Sequence, residues 1–203
     1  MDRLISRAAA VIVVLCSLAT PAWGGYKEAA AAYKQGDFTT ALRELRPLAA
    51  QGHMNAQLLL ASCYMFGKGT AKNLVEAEKW MRRAAEQGSP LGQFSLGGML
   101  YHGLGVKVDY PQALAWWRRA AEQQFVKAQY QLGGMYAEGK AIRPDLVLAY
   151  MWFDIARENA KRKSYRQRAT KKRDLVAKHM SADQIATARK LVRDWQKNHR
   201  AKS

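Results

Sequence analysis

Residues 89–124 read SPLGQFSLGGMLYHGLGVKVDYPQALAWWRRAAEQQ, and the 36-residue stretches on either side, 53–88 and 125–160, repeat that pattern without a gap. Gln57, Gln93 and Gln129 coincide, as do Leu60, Leu96 and Leu132. Gly67, Gly103 and Gly139 share one position, and Asn73, Asp109 and Asp145 fill another with a short polar side chain. Ala77, Ala113 and Ala149 align, then Trp80, Trp116 and Trp152, then Ala84, Ala120 and Ala156, and finally Glu86, Glu122 and Glu158. Self-similarity at a fixed period of this length is the mark of a stacked array of one supersecondary unit.

Each unit reads as two helices. Ala56, Leu59, Leu60, Cys63 and Tyr64 fall at i, i+3, i+4, i+7 and i+8, one apolar face of a helix. Gly67-Lys68-Gly69 ends it, because glycine takes the left-handed cap without steric cost. Asn73 then opens a second helix, with Glu76 three residues on as a capping box, and Asp109 with Gln112 repeats the device. Ala77, Trp80, Met81 and Ala84 form the second helix's buried face. The pairs Gly97-Gly98 and Gly133-Gly134 weaken helix propensity, which is explained if a neighbouring helix approaches closely there. The stripe Trp80, Trp116, Trp152 is expected to be a core stripe joining adjacent units, with Trp117, its neighbour, partly exposed.

A degenerate unit, 26–52, precedes these three. Asp37, Ala41 and Gly52 sit one period before Asn73, Ala77 and Gly88, and Glu44 replaces the tryptophan. Residues 26–35 and 38–50 are its expected helices. Terminal units of an array depart from consensus because they cap the core. Beyond residue 160 the period stops. Tyr165, Ala169, Lys172 and Val176 keep helical spacing, and Ser181 with Gln184 starts a further helix. Ile185, Ala188, Leu191, Val192 and Trp195 line the apolar face of that last helix. The stretch 146–153 is apolar on nearly all sides and needs a cover, which the segment 161–203 can supply as a helical cap. The fold class expected is all-α: an α/α solenoid of helix-turn-helix units closed by C-terminal capping helices.

The charge is uneven. The 203 residues carry a formal net charge of +17. Residues 25–160 hold 16 Lys and Arg against 12 Asp and Glu, whereas 161–203 hold 15 against 3. The array is close to ordinary and the tail is strongly basic. At the other end, Arg3 and Arg7 precede a 12-residue apolar run, 8–19, too short for a spanning helix of roughly 20 residues. Ala22 and Gly24 follow with the spacing of a cleavage site, so 1–24 reads as a secretory signal peptide cut after Ala22 or Gly24. Leu15 stands before Cys16 where a lipoprotein site requires a small residue, so no lipid anchor is expected. The mature chain is then periplasmic or secreted, has no transmembrane span, and keeps Cys63 as its single cysteine, a small core hydrophobe.

The pattern Ala-Gln-x-x-Leu-Gly, Gly-x-Gly-Val, Asp-Tyr-x-x-Ala, Trp-x-x-x-Ala-Ala-Glu-Gln resembles the Sel-one-like repeat (SLR), a relative of the tetratricopeptide repeat with a longer loop between its helices. Leu96-Gly97, Gly103-Leu104-Gly105-Val106, Asp109-Tyr110 and Ala120-Ala121-Glu122-Gln123 carry the match best. The third unit departs from it: Ala141 replaces the second loop glycine and Arg157 interrupts the alanine pair. The resemblance implies an α/α superhelix whose concave face binds peptides or proteins. Members of the family act as adaptors in secretion, envelope assembly and signalling. One cysteine-rich branch binds or hydrolyses penicillin, but this chain lacks that branch's cysteines.

By analogy with tetratricopeptide arrays, off-core positions of each first helix face the concavity. Mapped here, these are Asn55, Leu58, Ser62 and Met65, then Phe94 and Tyr101, then Lys127 and Tyr130. The alternative is that they pack against neighbouring helices. In the tail, Lys161, Arg162, Lys163, Arg166, Arg168, Lys171, Lys172 and Arg173 form a candidate contact for an anionic surface, the alternative being merely solvated helix faces. No metal spacing, nucleophile elbow or phosphate loop occurs, and no cofactor is expected. The reading is a non-catalytic exported scaffold that binds a protein or peptide. An envelope-surface binder acting through the tail, on anionic lipid or polysaccharide, is the first alternative, and a penicillin-binding or penicillin-hydrolysing enzyme the second. Export argues against nucleic acid as partner despite the basic balance.

Overall fold

The computed structural model describes residues 24–140 and 142–200. Residues 1–23 of the expected 1–24 signal peptide, and Ala141, lie outside these residues. The described chain consists of α-helices joined by short turns: α1 (Gly24–Gln35), α2 (Phe38–Ala50), α3 (Met54–Phe66), α4 (Leu74–Glu86), α5 (Pro90–His102), α6 (Tyr110–Glu122), α7 (Val126–Glu138), α8 (Leu146–Asn159), α9 (Lys163–Ala177) and α10 (Ala182–Arg200). From α1 to α9 each helix packs on the next, and α10 returns to α8. This is a solenoid of helix pairs.

The local signals explain the boundaries. Gly67, Gly103 and Gly139 end α3, α5 and α7 in the left-handed conformation. The Asn73, Asp109 and Asp145 side chains accept from backbone N–H groups in the first turns of α4, α6 and α8. The reciprocal half of the expected capping boxes is missing there. The cap N–H groups of Asn73, Asp109 and Asp145 instead donate to the carbonyls of Tyr64, Leu100 and Tyr136, at 2.8, 2.9 and 2.9 Å. The cap N–H is thus used to tie the loop to the preceding helix, and Glu76 turns to Lys79. Among the described residues only Ser181 and Gln184, which have no such loop to close, form the full reciprocal box, at 2.9 and 3.2 Å.

Two further expectations need correction. Only the first member of each glycine pair lies under a neighbouring helix. A Cβ on Gly97 would stand 2.5 Å from Trp117, and one on Gly133 would stand 2.6 Å from Phe153, while Gly98 and Gly134 face open space. Trp117 is 1% exposed, not partly exposed, because its ring fills the notch that Gly97 leaves and its Nε1 donates to the Phe94 carbonyl at 3.0 Å. In the first unit the same two positions are Ala61 and Met81, so a bulkier notch residue meets a slimmer partner. Of the tryptophan stripe, Trp116 and Trp152 are buried, whereas Trp80 is half-buried, with Arg83 over its ring at 4.5 Å.

The aligned glutamines join the units. Gln57, Gln93 and Gln129 are buried. Their Nε2 groups donate to the carbonyls of Ala49, Ala85 and Ala121, in the preceding second helix, at 3.1, 3.2 and 3.2 Å. Their Oε1 atoms accept from Gln87, Gln123 and Asn159, at the end of the following second helix, at 2.7, 2.8 and 3.2 Å. One side chain per unit therefore bridges two consecutive second helices from inside the core. A buried amide left unpaired costs about 1–3 kcal/mol, so the motif fixes register as well as stability.

At the C-terminal end, Val176 of α9 and Ala188, Val192 and Trp195 of α10 join the core cluster that contains Trp152, Phe153 and Ile155. The Trp195 ring stands 6.2 Å from Trp152. These contacts cover α8, which is buried from Ala149 to Ala156.

Candidate interaction surface

The first helices α3, α5 and α7 place the candidate positions along one stripe. Asn55 and Lys127 are exposed, and Leu58, Ser62, Met65, Phe94, Tyr101 and Tyr130 are half-buried. Their covered sides have definite neighbours. Ser62 Oγ lies 2.9 Å from the Tyr33 hydroxyl. Leu58 and Met65 pack on the cluster of Leu96 and Met99. The Phe94 ring stands 5.3 Å from Phe125, Tyr101 stands 5.3 Å from Trp117, and Tyr130 stands 5.4 Å from Phe153. Phe94 thus braces the next unit, while Tyr101 and Tyr130 rest on the second helix of their own units, and each keeps part of its ring accessible.

The loops reach back to the same stripe. Lys68 donates to the Tyr33 hydroxyl at 3.0 Å and lies 4.6 Å from its ring centroid. Two loops further on in register, Lys140 donates to the Tyr101 hydroxyl at 2.5 Å and pairs with Glu138 at 3.0 Å. The Tyr101 hydroxyl and the Glu138 carboxylate both raise the Lys140 pKa. In the middle unit the loop position is Leu104 and its counterpart on the preceding helix is Met65, an apolar pair in place of a cation and a phenol.

The tail cations divide into two groups. Lys161, Arg162, Lys163, Arg166, Arg168, Lys171 and Lys172 are exposed, while Arg173 is half-buried. Arg173 and Arg157 both donate to Asp154 Oδ1 at 2.7 Å, so Arg173 ties α9 to α8. Burial works against the charged form of Asp154, but these two arginines outweigh it and hold its carboxyl below the usual carboxylate range. Arg166 donates to the Ala160 carbonyl at 2.9 Å.

Members of the two candidate sets meet. A recess of about 620 Å³ lies between the start of α7 and the α8–α9 junction, lined by Phe125, Val126 and Lys127 on one side and Lys161, Arg162 and Tyr165 on the other. No carboxylate lines it. Lys127 belongs to the stripe and Lys161 and Arg162 to the tail, 34 residues later. No spacing rule joins them, because the α7–α8 hairpin that brings them together is a tertiary fact.

Among the described residues, no group of three or more His, Cys, Asp or Glu could hold a metal ion, and no helix is long and apolar enough to cross a membrane. Cys63 is buried and unpaired, and burial pushes its thiol pKa up.

Comparison with known proteins places the array. The Sel1 repeat family model matches residues 55–89, 90–125 and 126–160. A Sel1 repeat protein from Oxalobacter formigenes superposes with a TM-score of 0.67 at 30% identity, covering 74% of this chain and 58% of that one. A protective antigen of uropathogenic Escherichia coli strains that displays an SLR fold gives 0.60 at 29% identity, covering 88% of this chain and 46% of its own. The chain thus spans little more than half the length of the first structure and under half of the second. No curated protein matches it significantly.

Proposed function

The chain belongs to the Sel1 repeat family, whose members are generally protein-interaction scaffolds, and from that membership we propose that it is a non-catalytic exported scaffold. It binds a protein or peptide through the concave face built by α3, α5 and α7. The observation that carries this reading is the half-covered stripe. Phe94 is braced by Phe125 of the next unit, Tyr101 and Tyr130 by the second helix of their own units, and all three are only half-buried, which presents flat aromatic area at low entropy cost. Glutamine bridges between units hold that stripe in fixed register, and a preorganised surface loses less entropy on binding.

The test is capture from envelope extracts by the immobilised full chain, compared with an N55E/G98E/K127E variant. These three positions are exposed or face open space, so the variant keeps its fold while the stripe acquires three carboxylates. Loss of a specific retained protein supports the reading, and equal retention by both forms rejects it. Turnover of a chromogenic β-lactam or of peptidoglycan fragments would reject the non-catalytic part.

A second reading follows from the exposed tail cations. They suit an anionic envelope surface, of lipid or polysaccharide, whose attraction falls off within a Debye length of about 8–10 Å. Binding to phosphatidylglycerol vesicles that collapses as salt rises supports it, and salt-insensitive binding contradicts it.

A further inference from the structure

The recess between α7 and the α8–α9 junction has a chemistry that neither the stripe nor the tail has alone. Its floor and walls are apolar where Phe125, Val126 and Tyr165 line them. Its cations, Lys127, Lys161 and Arg162, have no ion-pair or hydrogen-bond partner among the described residues. Elsewhere several cations beside the core are matched by carboxylates, Arg82 by Glu78 and Arg157 and Arg173 by Asp154, and others lie over aromatic rings, Arg83 on Trp80 and Arg119 on Trp116. Here three positive charges converge on an apolar recess and the protein supplies no negative one. The complement is a chain segment that carries carboxylates next to apolar side chains. A flat lipid surface can meet the exposed outer side of α9 but cannot enter a recess walled on two sides.

The turn before α7 departs from its counterparts at the same place. Where Gly52 and Gly88 take the left-handed conformation, Gln124 holds φ 61. Where His53 and Ser89 cap α3 and α5 with their side chains, Phe125 offers no such acceptor. The third turn thus places an aromatic wall against the recess in place of a self-satisfying cap.

We propose that this recess docks an acidic peptide segment of the partner protein, its carboxylates held by Lys127, Lys161 and Arg162 and its apolar side chains by Phe125, Val126 and Tyr165. The inference rests on the scaffold reading above and names the chemistry of one part of that surface. Opposite potentials across such a contact speed encounter and exclude basic competitors.

The test uses the full chain and a fluorescein-labelled decapeptide that alternates Glu with Leu, followed by fluorescence anisotropy. A Lys-for-Glu peptide and phosphatidylglycerol vesicles serve as the other arms. The expected result is saturable binding of the acidic peptide alone, weakened about tenfold or more by K127E/K161E/R162E and left within about twofold by K171E/K172E/K178E, which reverses the same number of exposed charges on α9 and its C-cap. Unchanged circular dichroism of both variants keeps the comparison valid. No binding of the acidic peptide, an equal loss in both variants, or binding of the chain to vesicles alone would each overturn the proposal. Capture from envelope extract separates this from the wider reading. If the same protein is retained by the wild type and by K127E/K161E/R162E, the recess is wrong and the scaffold stands; if the wild type retains none, the scaffold reading itself fails.

Discussion

At the residue scale, the two glycines of a pair that look alike in sequence have opposite roles. Gly97→Ala drives a methyl into the Trp117 ring and is expected to destabilise by about 1–3 kcal/mol. Gly98→Ala meets nothing within 4 Å and should stabilise by about 0.5–1 kcal/mol through helix propensity. Urea unfolding of the two variants checks both signs. The repeat shows that small residues are wanted there but not which of the two lies under the neighbour, because that depends on how far each second helix is rotated about its axis. The aligned glutamines have the same character: their register is plain in the sequence, but their bonds to carbonyls eight residues back are not. Gln129→Ala removes the bonds that join the Ala121 carbonyl and the Asn159 amide through one buried side chain and should cost about 1–3 kcal/mol. Cys63, fully buried with its thiol pKa raised by burial, should resist a thiol reagent in the native state and react on unfolding; rapid labelling of the native chain would show the core that Cys63 shares with Leu45 and Leu60 to be open.

At the scale of elements, helix identity was legible, and so was the cover that the C-terminal helices give α8; the path of α10 was not. Periodicity places Ala188, Val192 and Trp195 on one face of α10, and those residues are buried. It does not reveal that α10 lies back along the array, with His199 Nε2 2.8 Å from Glu122 of α6. Capping boxes were half legible for a similar reason, since a cap N–H already bonded to the preceding helix has no need of the third residue's side chain. The α8–α9 joint depends on Asp154. Its folded pKa lies below the ordinary value of about 3.9, so its contribution is complete above that value and is lost as pH falls through the lower, folded one. Asp154→Asn should remove about 1.5–3 kcal/mol at neutral pH and flatten the fall in melting temperature below about pH 4. An unchanged acid profile would mean that Asp154 does not hold the joint. Trp195→Ala, which uncovers Trp152, should cost about 3 kcal/mol and broaden the melt at the C-terminal end.

At the scale of the whole molecule, the net charge of +17 separates into a near-ordinary array and a basic end. The structure divides that end again. Arg173 belongs to the α8–α9 joint and Arg166 bonds the Ala160 carbonyl, while Lys161 and Arg162 line one recess with Lys127. Deleting the tail would therefore expose α8 as well as remove charge, and charge reversal is the cleaner probe of function. The central claim is that the first helices carry the partner. It is tested most directly by hydrogen exchange on the full chain, free and with the protein captured from envelope extract. The account predicts slowed exchange along α3, α5 and α7, extending to residues 159–165. Protection confined to α4, α6 and α10, or none at all, would contradict it.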